Sequence, residues 1–125
     1  MPLRGEVYFP DKNLPPDQDT PHRCVVLSPT NFMAQHPNTP GNRLFVNVAI
    51  IRSAKHQGGS PVRPVLGHSI PLSAADHAFL QHDSIVETHQ LFAVEIDVFR
   101  KKKPVGRISD PYLADILKGA QRLFS

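Results

Sequence analysis

A small, twisted, barrel-like sheet with one C-terminal helix, of the mainly β or α+β class, is the fold this sequence predicts. Three observations carry that reading. Thirteen prolines stand among the 125 residues, eleven of them before residue 72; each removes a backbone donor, which leaves little room there for long helices. Between the prolines lie short apolar runs rich in β-branched residues, the composition of strands. After Ser109 the period changes: Tyr112, Leu113, Ile116, Leu117, Ala120, Leu123 and Phe124 recur three and four residues apart, the spacing of an amphipathic helix laid on a sheet. At this length the chain is read as a single domain, residues 1–125.

Each element follows in order. Residues 5–9 (GEVYF) read as a strand and residues 23–28 (RCVVLS) as a buried one. Residues 44–51 (LFVNVAII) give the strongest strand signal, and residues 68–72 a fourth strand. Ser73 is placed to cap one or two helical turns that run to Leu80. Residues 84–88 (SIVET) and 90–99 (QLFAVEIDVF) read as strands with a bend between them. Asp110 is placed to cap the final helix, with Pro111 at the first helical position, where no donor is lost. Gly119 costs that helix about 1 kcal/mol and is the position at which helix and sheet approach closely.

Composition narrows the function classes. Fourteen Lys and Arg against eleven Asp and Glu give a net charge of +3, with seven histidines besides. The positive charge gathers at Arg100, Lys101, Lys102, Lys103 and Arg107, while Asp11, Asp17 and Asp19 make an early loop acidic. A basic patch on a small domain suits a phosphate-bearing or acidic partner. The single cysteine, Cys24, excludes an internal disulfide and a multi-thiolate zinc site. No apolar run approaches the roughly 18 residues of a membrane span, so a soluble cytoplasmic protein is expected. No histidine pair has metal-ligand spacing, and His77 and His82, five apart, do not align on a helical face. No nucleotide-binding or hydrolase motif is present, and neither a metal nor a cofactor is expected.

Two constellations carry chemistry. His22-Arg23 opens the second strand and joins a group that titrates near neutrality to a fixed cationic fork, a pair suited to phosphate or carboxylate. Equally, such a pair occurs by chance at a loop–strand junction. Glu87-Thr88-His89 ends the fifth strand, where alternation puts Glu87 and His89 on one face. That pair is competent for acid–base work, or forms a surface ion pair worth at most about 1 kcal/mol.

The order of segments adds a family. The chain runs from R-G-E-V-Y-F (4–9) to H-R-C-V-V-L-S (22–28), the central strand (44–51) and I-P-L-S (70–73), then D-S-I-V-E-T-H-Q (83–90) and V-G-R-I-S-D (105–110) before the last helix. This resembles the MazF/PemK family of toxin endoribonucleases of toxin–antitoxin modules. The resemblance implies an SH3-like small barrel of bent antiparallel sheet, a homodimer, and a cognate antitoxin as partner. It also implies metal-independent cleavage of single-stranded RNA, in which the ribose 2′-hydroxyl attacks the adjacent phosphorus. That reaction needs a base, an acid and a cation on the crowded phosphorane. The family arginine falls on Arg23. Arg52, Lys101, Lys102 and Lys103 are the implied RNA contacts, and the loops at residues 11–21 and 51–67 the implied determinants of cleavage sequence.

The chain also departs from the family pattern. Cys24 stands where a structural proline is usual. Ile51 stands where a Thr or Ser commonly contacts the scissile phosphate, with Ser53 two residues on and on the same face. His89-Gln90 replaces an acid–Gln pair, and Glu87 stands where some members carry a catalytic arginine. Two readings follow. Either the active site is rebuilt around Arg23, His22 and His89, with Glu87 and Ser53, or the chain is a non-catalytic binding protein of the same fold, such as a CcdB-like gyrase poison.

Overall fold

The sheet grows outward from its longest pairing. In the computed structural model, which describes residues 2–10, 22–29, 34–35, 44–56, 58–99 and 102–124, strand β4 (Leu44–Ser53) runs antiparallel to β6 (Ser84–Glu95) over nearly its whole length. On the other side of β4 lies β2 (Arg23–Val26), then β1 (Glu6–Tyr8) and β7 (Gly106–Arg107); β5 (Ser69–Leu72) flanks β6 at the far edge. The order is β5-β6-β4-β2-β1-β7, and a two-residue strand, β3 (Ala34–Gln35), pairs with the start of β4 where β2 has ended. All described pairings are antiparallel. The sheet curls into a half-barrel. One helix, α1 (Asp110–Gln121), follows β7.

Alternation along the strands sorts side chains into two cores. Val7, Val25, Ile51, Ile70 and Val86 share the face that α1 covers with Leu113, Ile116 and Ala120. Full burial of Leu113 and Ile116 contributes about 1.5–3 kcal/mol each, more than the penalty of a helical glycine. On the opposite face Tyr8, Cys24, Val26, Val46, Val48, Ile50 and Val94 close on Phe99. Phe99 follows a 3-10 turn (Ile96–Val98) and packs its ring 4.8 Å from that of Tyr8. The second face is therefore covered from within the same chain.

Several sequence expectations shift by small, explicable amounts. Gly5 is a turn residue at φ 87°, not the first residue of a strand, because β1 enters from a left-handed turn. The expected strands 84–88 and 90–99 are one strand, β6, that bends without breaking. Ala49 faces Leu91 while Ile50 faces Glu87, so Thr88, His89 and Gln90 bulge past β4. The bulge is pinned from the β5 side, where Thr88 donates both its N–H and its hydroxyl to the His68 carbonyl, at 2.8 and 2.9 Å. The cap of α1 is Ser109 and not Asp110, which begins the helix and pairs with Arg107 at 3.2 Å. Ser73 does cap, accepting from the Ala75 N–H at 3.1 Å, but the helix it opens is a single 3-10 turn, Ala74–Asp76. Gly119 works as read: a Cβ there would sit 2.5 Å from Thr88 Oγ1, so α1 lies directly on the bulge.

Candidate functional site

Strand register assembles a cleft at the head of β2. Tyr8 pairs with Cys24, which brings Phe9 alongside Arg23, and the guanidinium carbon lies 5.4 Å from the Phe9 ring centroid. That cation–π contact fixes the side chain. Arg23 Nε is buried and has no hydrogen-bond partner among the described residues. A buried donor left unpaired is unfavourable by about 1–3 kcal/mol, so this one marks a place where an external acceptor would be stabilised.

Across β4 the partner of Arg23 is Ile51, only 4 % exposed and packed into the helix-side core. No hydroxyl stands there. Two residues along, Ser53 pairs with Ser84, so two serines end this strand pair. A cleft of about 250 Å³ is lined by His22, Arg23, Arg52, Ser53, His82 and Ser84, with Ile51, Leu80 and Gln81 completing it. His82 is held from the loop before β6, where the Ser84 hydroxyl donates to its carbonyl at 3.0 Å. Two guanidinium groups and two imidazoles around one opening can hold an anion and move protons beside it.

The sequence candidates divide. His22, Arg23, Arg52 and Ser53 meet in this cleft. Glu87 and His89 do not join them. They share one face, as alternation predicts, with His89 Nδ1 3.2 Å from Glu87 Oε2, off the line of a hydrogen bond. But Glu87 pairs with Ile50, one residue out of step with the Arg23–Ile51–Val86 row, which puts the two on the sheet face opposite Arg23. Glu87 is 6 % exposed there and accepts from the Ser69 hydroxyl at 3.1 Å. Lys102 and Lys103 do not line the cleft, though the β1–β7 register carries their turn toward the end of the sheet that bears Phe9. Lys101 and the loop at residues 11–21 lie outside the described residues.

His82, which lines the cleft with Ser53, was not among the sequence candidates; a histidine in a short loop carries no periodic signal, and only tertiary placement brings it there. His77 is structural. It is buried, its Nδ1 donates to the Ser73 carbonyl at 2.9 Å, and its Nε2 accepts from the Ser109 N–H at 3.3 Å. Among the described residues no three His, Cys, Asp or Glu side chains form a metal cage.

Fold and cleft together define a small half-barrel protein with cationic side chains at its strand ends. A family model described as PemK-like, MazF-like toxin of type II toxin–antitoxin system matches residues 3–124, and the chain belongs to that toxin family. In fold it is similar to the Mycobacterium tuberculosis toxin MazF-mt6, at a TM-score of 0.62 and 14 % identity over 95 % of each chain. No curated protein sequence matches significantly. No helix among the described residues is long and apolar enough to cross a membrane.

Proposed function

We propose that this toxin is a metal-independent endoribonuclease that cleaves single-stranded RNA at the Arg23 cleft. The observation that carries the reading is the buried Nε of Arg23, without a hydrogen-bond partner among the described residues and held over Phe9 in an opening shared with two imidazoles. In the reaction the 2′-oxygen bonds to the adjacent phosphorus and the bond to the 5′-oxygen breaks. A 2′,3′-cyclic phosphate and a 5′-hydroxyl result. One imidazole, of His22 or His82, takes the 2′ proton and the other protonates the leaving oxygen. Arg23 and Arg52 hold the non-bridging oxygens as negative charge grows, and the Ser53 hydroxyl supplies the donor that Ile51 lacks. Glu87 and His89 support the bulge from the other face and take no direct part.

The test is single-turnover cleavage of labelled RNA in EDTA. Arg23→Ala lowers the rate about a hundredfold or more, the scale of losing one transition-state donor. Arg23→Lys restores it only in part, because a point charge lacks the two-pronged grip. A folded Arg23→Ala variant that cuts at the wild-type rate refutes the assignment. Ile51 opposite Arg23 favours a second reading, a non-catalytic binding protein of gyrase-poison type, and a wild-type chain that cuts no RNA selects it. In either case the chain works as a cytoplasmic homodimer silenced by an acidic antitoxin segment laid along the cleft.

A further inference from the structure

A larger cavity, about 780 Å³, adjoins the cleft and shares Ser53 and His82 with it. Its volume falls in the range of sites that hold small organic ligands. Both walls are built before any ligand arrives. One is made by residues 54–56 and 58–62, joined by Val62 N–H to the Ala54 carbonyl at 2.9 Å and His56 N–H to the Ser60 carbonyl at 2.7 Å. Gly59, at φ 91°, makes the reversal, and Lys55 bridges to Pro61. The other wall is His82-Asp83. The Asp83 carbonyl accepts from the Ala54 N–H at 3.1 Å, and its Oδ1 accepts from the Ala74 N–H at 2.9 Å. Asp83 is thereby tied to both neighbouring segments, and each of its carboxylate oxygens keeps a lone pair able to accept.

The chemistry of the lining selects the occupant. The Asp83 carboxylate, set opposite Lys55, pairs the lining's negative and positive groups and leaves the compartment suited to a group that offers both donors and acceptors. It faces a neutral group that carries N–H donors. Lys55 offers donors only, Asp83 acceptors only, and His56 and His82 offer flat rings for stacking. A nucleobase meets all three demands. Among the four bases guanine alone presents two adjacent N–H donors to one carboxylate, with an oxygen acceptor beside them for an ammonium. Resting on the ribonuclease reading above, we infer that this cavity is the subsite for the base next to the scissile phosphate, that Asp83 reads its Watson–Crick edge, and that guanine is preferred.

The experiment measures binding and cutting separately. Fluorescence anisotropy uses 2′-O-methyl pentanucleotides, which cannot be cleaved, with G, A, C or U at the centre of a U run. Cleavage uses the matching all-ribose set in EDTA. The G-containing oligomer binds about tenfold tighter than the others, the scale of one paired-edge base contact. Asp83→Asn keeps an oxygen for the Ala74 N–H but turns one acceptor into a donor, and it abolishes the preference for G. Arg23→Ala weakens all four oligomers alike. Lys55→Ala, on the other wall, reduces the G preference and serves as the second probe if Asp83→Asn does not fold. Equal binding of all four oligomers, or a preference that survives in folded Asp83→Asn and Lys55→Ala, overturns the inference. Cleavage without any base preference sinks the subsite and leaves the ribonuclease reading standing. Asp83-dependent base preference in a chain that never cuts sinks the nuclease and leaves the subsite.

Discussion

Cys24 and Tyr8 face each other across the β1–β2 pair, both enclosed by the second core. Burial pushes the Cys24 thiol up to about 12, and burial together with the Glu6 carboxylate, 3.2 Å from the Tyr8 hydroxyl, pushes that phenol up to about 12. In the unfolded chain the two ionise near 9 and 10. Between those values and 12 the unfolded chain has released protons that the folded chain keeps. The stability contributed by these two groups is therefore fully present below pH 9 and is lost as pH rises from 9 to 12. Thermal melting across that range should show the decline, and Cys24→Ala should remove its earliest part. In the same way, Cys24 should resist iodoacetamide at pH 8 in the native protein and react on unfolding in urea, as read by mass spectrometry. At this scale the sequence was most informative where chemistry sits beside a strand end. Arg23 was picked out because charge is rare at the head of an apolar run, and the structure places it in the cleft. Asp83 and His82 were not, because what distinguishes them is a set of tertiary hydrogen bonds and not their neighbours in the chain.

At the scale of elements, α1 meets the β6 bulge in a close joint. Thr88 is fully buried beneath Gly119, with its hydroxyl committed to the His68 carbonyl. Gly119→Ala gains about 1 kcal/mol of helix propensity, yet the new methyl must displace either the helix or a pinned side chain, a strain of about 1–3 kcal/mol. Net destabilisation is expected in urea unfolding, and Gly119→Ala with Thr88→Ala should be less unstable than the two single changes summed. The element boundaries that differ from the sequence reading have a common origin. β3 and β7 have two residues each and exist because neighbouring strands offer unpaired edges, which no local pattern records. β6 stays continuous through a polar stretch, Glu87-Thr88-His89-Gln90, because His68 and Gly119 grip it from two sides. The strand at 44–53 and the final helix, with strong periods of their own, were legible to within about two to three residues, whereas the reading of 90–99 as strand overran β6 into the 3-10 turn Ile96–Val98.

For the whole molecule, charge and association are the testable quantities. A homodimer predicts a light-scattering mass of twice the 13.9 kDa of one chain, and a mass near that of one chain at micromolar concentration would refute it. Because both sheet faces are covered within the chain, an interface must use edges, loops or the exposed side chains of Leu66 and Phe124 and not a bare core face. An acidic antitoxin peptide should bind more weakly as salt rises, through slower association; calorimetry giving equal affinity at low and high salt would remove the electrostatic part. The pairing of β1 with β7 has a temporal consequence. Residues near the start of the chain reach their edge partner only after residue 107 has been made, and the helix that seals Val7, Val25 and Ile51 comes later still. Every cleft residue from His22 to Ser84 is thus synthesised before the floor beneath Arg23 is closed. A ribosome-bound chain halted at residue 108 therefore carries every described cleft residue without the helix that seals the core beneath them. Such stalled chains should remain sensitive to protease until the helix Asp110–Gln121 has emerged from the ribosome, as limited proteolysis of chains stalled at successive lengths would read.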